Sequence, residues 1–397
     1  MAWLLHSKVG EFLLRTLLVV SFVCGVLPFK FNSTKRSFAF SRLALCYCIG
    51  LHLGIIYLDW INFPLILGQF FVKLSEYSSR KLSFMDILNI LDFTIFSLAI
   101  VVCLLGSWMG HQGVVKIHVE IKAIDLSYFK NCNQDYVERR DKLIYKLVYF
   151  EIFVISSSLF LYIMSSLQII EKMSVEIVIT LLAIGIQISV RFLIKFQFHL
   201  MLAFVYSSFV ELNKNLSDLA EDVRIKLGDE TSNLHKIDTI AITHHRLIKL
   251  SQLIKESYQA QIIFLTASSI IAVILSVFEV IKIVSEENSM DELLFFLYIF
   301  GLTLLELMDF WLSIHSCQRT INAANDTRGI LDGFDVLHPI GGPLVETVRF
   351  PDILCGLNQM RFRLCGLFDF EYVFGMSILT GTILHVILLL QYYKENY

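Results

Sequence analysis

The sequence predicts an all-α membrane protein with seven transmembrane helices, an inside N-terminus and an outside C-terminus. Three observations carry this expectation. First, 56% of the 397 residues are hydrophobic, only 17% are charged, and 33 are Phe; a soluble chain of this size would lack the polar material to cover its surface. Second, seven apolar stretches run from about Phe38 to Leu58, Ile87 to Met109, Leu143 to Leu167, Val175 to Lys195, Ile262 to Ile283, Leu293 to Ile314 and Phe368 to Leu390. At about 1.5 Å per residue each can cross a bilayer core of roughly 30 Å. Third, the N-terminal arm and the second, fourth and sixth connections hold 23 Lys and Arg, whereas the other connections and the C-terminal tail, Lys282 included, hold 6. Cationic loops stay in the cytoplasm, which places the N-terminus inside.

Before the first span, only 14 residues separate Arg15 from Lys30. That is too short to cross, and Pro28 closes the run, so an interfacial or re-entrant helix is expected. The run Phe63 to Val72, interrupted by Gly68 and Gln69, reads the same way. From Phe209 to Tyr258 the apolar residues Leu212, Leu216, Leu219, Val223 and Leu227, then Leu247, Leu250 and Ile254, recur at three- and four-residue steps. Such helices bury one stripe. The fourth and fifth spans are therefore expected to continue into the cytoplasm and to join near Lys226 to Asn233. After Gly341, Gly342 and Pro343, the residues Ile353, Leu357, Met360 and Leu364 suggest one more amphipathic helix before the last span. The chain reads as a single domain over 1–397. Its first six spans, with cytoplasmic helices at 209–258, cover about 38–316; a cytoplasmic helix and the last span cover about 337–392.

Ionisable groups at membrane depth are costly and mark candidate sites. Arg191 and Lys195, near the inner end of the fourth span, and Lys146 in the third can snorkel. Glu151, Glu306 and Asp309 can pair with those cations. Asp92 and Glu279, near the outer ends of the second and fifth spans, could stand at the mouth of a ligand cleft or simply meet interfacial water. None of the eight cysteines falls in an outer loop, so no disulfide framework is expected. His244 and His245 are adjacent and lie on different helix faces, where they are expected to be solvated. Without HExxH, GxSxG or a phosphate loop, no enzyme, cofactor or metal is expected. The net charge of −3 and dispersed basic residues give no nucleic-acid footprint. All five prolines lie outside the seven stretches, and no internal repeat indicates a secondary transporter.

Near the C-terminus, Cys365 to Phe368 read CGLF, and the last apolar stretch ends Leu384, His385, Val386 to Leu390, Gln391, Tyr392. This resembles the signature of the insect gustatory receptors, whose last helix carries Thr-Tyr, five apolar residues and Gln-Phe. Gln391 matches the glutamine and Tyr392 the terminal aromatic, while Leu384 and His385 stand in place of Thr and Tyr. The likeness covers the whole chain in architecture and about 30 residues in sequence.

The resemblance implies a subunit of a tetrameric, ligand-gated, nonselective cation channel in the plasma membrane of chemosensory neurons, on their dendrites. Homo- or heterotetramers with related receptor subunits would be joined by a cytoplasmic helical anchor, and the last helix of each would line one pore. On this reading Gly375 and Gly381 allow close helix approach. Val386 to Leu390, Leu388 among them, form an apolar gate, and Leu384, His385, Gln391 and Tyr392 belong to the pore. The ligand, a small-molecule tastant, would sit in the outer half of the bundle near Asp92, Phe96, Phe160, Tyr162, Phe296, Tyr298 and Glu279. Bitter or deterrent compounds fit many divergent members of that family. The alternative is a seven-span metabotropic receptor coupled to G proteins, or another nonchannel membrane protein; the inverted orientation and the absence of Asp-Arg-Tyr and Asn-Pro-x-x-Tyr motifs argue against the metabotropic receptor.

Overall fold

A computed structural model describes residues 16–17, 19–26, 29–32, 37–57, 84–129, 134–169, 175–224, 230–285, 290–337 and 360–396. Eight principal helices dominate it: α1 (Arg42–Tyr57), α2 (Phe84–Met109), α3 (His111–Ser127), α4 (Gln134–Ile169), α5 (Val175–Arg224), α6 (Glu230–Ser285), α7 (Met290–Leu337) and α8 (Tyr372–Asn396). Each of the seven apolar stretches overlaps one of these helices, the first and last beginning in short strands. No proline interrupts α5, α6 or α7, so each runs on where its apolar stretch ends, and the α5–α6 join lies between Arg224 and Glu230. Four segments, Gln134–Met164, Leu182–Asp222, His235–Phe278 and Tyr372–Tyr392, are long and apolar enough to cross a bilayer by themselves. The pair α2 and α3, bent by 60° at Gly110, supplies a fifth if taken as one.

The first apolar stretch is corrected at its start. Residues Ser37–Phe40 form a strand, β2, antiparallel to β1 (Phe29–Asn32), with Phe29 opposite Phe40. α1 begins only after it, with the Ser41 hydroxyl accepting from the Ala44 amide at 3.3 Å as an N-cap. The short N-terminal run is helical over 19–23 and then stops. Gly25 at φ +71° lets its own amide reach the Phe22 carbonyl and the Val26 amide reach that of Ser21, closing a Schellman motif. The Tyr47 hydroxyl donates to the Val23 carbonyl, and His52 Nε2 lies 2.9 Å from that of Cys24, so the stub is tied to α1.

A second correction concerns the approach to α8. Ile353 and Leu357 lie outside the described residues, but Met360 is not helical, and Arg363–Leu364 form β3, paired with β4 (Phe368–Asp369). Cys365 (φ +47°) and Gly366 (φ +71°) make the turn, with the Leu367 amide bonded to the Leu364 carbonyl. Met360, Phe362 and Leu364 are buried all the same, as a hairpin plug rather than a helical stripe. The stretch Phe63 to Val72 lies outside the described residues.

α5 is the central helix. It packs against α4, α6 and α7, and 89% of its apolar span is enclosed, against 17% for α8. One continuous core runs from Leu104 and Ile117 through Phe196, Phe204 and Phe209 to Ile254 and Phe370.

Candidate functional site

α8 presents two unlike faces. Gly375, Thr382 and Val386, at steps of seven and four, are buried against the bundle. A Cβ added to Gly375 would stand 2.6 Å from Ile314 Cδ1, so the absence of a side chain sets how closely α8 meets α7. Gly381 has open space around it and plays no such part within the protomer. On the other face Leu384 is 55%, Leu388 51% and Tyr392 47% exposed. Gln391 and His385 are exposed with them, the His385 Nδ1 lying 2.7 Å from the Gly381 carbonyl of its own helix. The fold therefore brings Leu384, Leu388 and Gln391 onto one stripe and turns Val386 away from it.

The aromatic and acidic candidates of the outer half are dispersed. Phe96 on α2 lies under the Arg191 guanidinium, 5.1 Å from ring centre to Cζ. Phe160 on α4 is exposed and Tyr162 half-buried. Asp92 lies on α2, Glu279 on α6, and Phe296 and Tyr298 on α7, with side chains outside the described set. Phe96, Phe160 and Tyr162 line neither of two clefts among the described residues. One, of about 350 Å³, is formed by Tyr128, Asn215, Leu219, His235 and Lys236 with their neighbours. The other, of only about 20 Å³, lies between α6, α7 and α8 and is lined by Ser269, Glu306, Phe310, Ile378 and Thr382 among others.

Deep in the bundle the predicted charge pairing forms. Arg191 Nη2 is 3.1 Å from Glu306 Oε1, and Lys195 Nζ donates to Asp309 Oδ2. Ser269 accepts from both cations at 3.3 Å and donates to Glu306 Oε2 at 2.6 Å. These cations do not snorkel: Lys195 and Arg191 are buried, 2% and 6% exposed. Glu151, fully buried on α4, makes no hydrogen bond among the described residues.

The distal halves of α5, α6 and α7 pack with α3 and the start of α4. α3 was not anticipated, although Val114, Ile117, Ile121 and Ile124 form a buried three- and four-step stripe. Arg246 reaches Glu120 at 2.9 Å, Arg140 reaches Asp125 at 2.8 Å and Arg139 reaches Glu211 at 2.7 Å. Asn213 donates to the Ala323 carbonyl and accepts from Thr327. His244, expected to be solvated, is instead 4% exposed, with Nε2 donating to the Ala324 carbonyl at 3.2 Å and its ring against Phe209. Burial holds its pKa below the usual imidazole value.

An enclosed polar core, long helices continuing beyond their apolar halves and a C-terminal helix with an exposed apolar face define a multi-pass helical membrane protein. Over residues 14–396 the chain matches the family described as 7tm Chemosensory receptor, and it belongs to that family. It is 24% identical over 386 residues to the gustatory receptor for bitter taste 22e of Drosophila melanogaster, covering 96% of this chain and 94% of that protein. Its fold matches the insect olfactory receptor OR5 from Machilis hrabei with a TM-score of 0.66 at 14% identity, over 95% of this chain and 97% of that one.

Proposed function

We propose that this chain is a subunit of a tetrameric, ligand-gated, nonselective cation channel that senses a bitter or deterrent small molecule. The observation that carries the proposal is the α8 stripe. Leu384, Leu388 and Gln391 are exposed on a helix whose opposite face is seated by Gly375, Thr382 and Val386. Around a fourfold axis that stripe would give an apolar constriction capped by a ring of amides, a combination that can gate by dewetting and pass cations without strong selection. The distal bundle of α3 to α7 supplies the rigid mass from which subunits would be held together. On this proposal the N-terminus and this bundle lie in the cytoplasm and the C-terminus outside, which the Lys and Arg distribution supports. The bitter ligand class is supported by the name of the Drosophila relative. The receptor would act in the plasma membrane of sensory dendrites, alone or with related subunits.

The test is to record ligand-evoked current from cells expressing this chain alone and with candidate partner subunits. A current with little discrimination among monovalent cations is expected. A ligand response that requires G-protein signalling and carries no direct current would overturn the proposal.

A further inference from the structure

The buried charge cluster does more than pair. Glu151 of α4, His199 of α5 and Asp309 of α7 each bring a donor atom within 4.8 Å of the other two. All three are at most 1% exposed. Their hydrogen-bond inventory is unfinished: both Glu151 oxygens, His199 Nδ1 and Asp309 Oδ1 have no partner among the described residues. An orphaned buried polar atom is expensive, and three residues that carry such atoms meet here within reach of one small cation. The charges point to that sign. Three carboxylates, Glu151, Glu306 and Asp309, face two cations, Arg191 and Lys195, and the ion pairs use up both cations on Glu306 and Asp309.

We propose that Glu151, His199 and Asp309 bind one divalent transition-metal ion of the zinc class. One imidazole and two carboxylates suit a borderline ion, and three protein ligands leave a fourth position for water. The outer shell is already in place. Ser313 Oγ lies 2.9 Å from His199 Nε2, and Lys195 Nζ holds Asp309 Oδ2, so on both ligands one side is fixed and the unpartnered atom is left for the ion. Helical spacing builds this arrangement, since Lys195 and His199 are four apart on α5 while Asp309 and Ser313 are four apart on α7. The cleft between α6, α7 and α8 is lined by Glu306 and Ser269, and Ser269 is bonded to Lys195 beside Asp309. A bound ion would tie three helices together close to the seat of α8.

The experiment uses the full-length receptor, purified in detergent without a polyhistidine tag and equilibrated with zinc or cobalt. Wild type should retain about one ion per chain after desalting, show the visible absorption of a low-symmetry cobalt centre and melt at higher temperature with zinc. Glu151→Gln, nearly isosteric, should lose the retained ion and the zinc-dependent shift. Ser313→Ala keeps all three ligands but releases the imidazole, and should weaken binding by roughly 10- to 100-fold. Wild-type metal content no higher than that of Glu151→Gln, or wild type without cobalt absorption, would overturn the proposal and leave a proton as the missing charge. Failure of Glu151→Gln to fold leaves the wild-type stoichiometry and Ser313→Ala to decide. None of these readouts depends on channel current.

Discussion

At the scale of single residues, burial reassigns several side chains that composition alone would leave in water. His244 sits on a helix rich in charges, and neighbouring polar residues in sequence suggested a solvated position; what buries it is α7, whose Ala324 carbonyl accepts a hydrogen bond from its Nε2–H. That packing has a pH consequence. The unfolded chain's imidazole titrates near the ordinary value of 6.5, while burial lowers the folded value. Stability from the neutral ring is therefore present above about pH 6.5 and is lost as pH falls from there through the folded pKa, because the unfolded state takes up the proton first. The melting temperature of the solubilised receptor is expected to fall on acidification through this window, and His244→Gln should flatten the fall. An unchanged pH profile in the variant would mean that the ring does not stay neutral. Asn215 and Asn325 illustrate the same point. Both head glycosylation sequons, yet Asn215 donates to the Tyr128 hydroxyl and Asn325 accepts from the Met360 amide. With Asn32 they are expected to carry no glycan. A glycosidase-sensitive mobility shift abolished by Asn215→Gln or Asn325→Gln would contradict both these contacts and the proposed orientation.

Among the elements, α8 offers the sharpest test of packing. Gly375 meets the flexible tip of Ile314, so an added methyl can be met by a change of rotamer, whereas Gly375→Leu must push α8 outward. Overpacking of this kind costs about 1–3 kcal/mol, to be read as a lowered melting temperature, while Gly381→Ala, in open space, should leave it unchanged. Equal tolerance at both positions would show that α8 is not seated through Gly375. The elements also show which signals the sequence carries. Apolar runs of twenty residues made all seven stretches legible, and the stripes at Leu212, Leu216 and Leu219 and at Leu247, Leu250 and Ile254 marked the long extensions of α5 and α6. α3 carried an equally regular stripe in Val114, Ile117, Ile121 and Ile124 but sits beside the second apolar stretch, where it reads as a connection. Met360 and Leu364 misled for a different reason. A four-residue spacing of buried positions fits a helix, yet Cys365 and Gly366 impose a left-handed turn that folds the segment back as a hairpin. The metal-type cluster was only half legible: the acids and bases of α5 and α7 suggested ion pairs, but nothing in one dimension placed Glu151 of α4 against His199.

For the whole molecule the question is what covers the exposed face of α8. A membrane protomer exposes apolar residues to lipid as a matter of course, and Leu43, Met109 and Leu182 are exposed here too, so exposure of Leu384 and Leu388 alone does not distinguish lipid from a neighbouring subunit. Gln391 does. An amide in register with Leu384 and Leu388 is poorly suited to acyl chains and well suited to a hydrated outer mouth. If four copies ring a conduction path, Gln391→Glu adds up to four carboxylates beside it, which should raise cation occupancy and shift calcium permeability or divalent block. Leu388→Ala shortens the constriction by three carbons in each subunit and should raise ligand-free current by weakening dewetting. Val386→Ala supplies the contrast, because that side chain is 6% exposed and faces the bundle; it should cost stability of packing without altering selectivity. Reversal potentials and basal current are to be compared at matched surface expression. Gln391→Glu and Leu388→Ala both indistinguishable from the unmodified receptor would remove α8 from the pore, leaving a subunit that conducts by another path or modulates the pore of a partner.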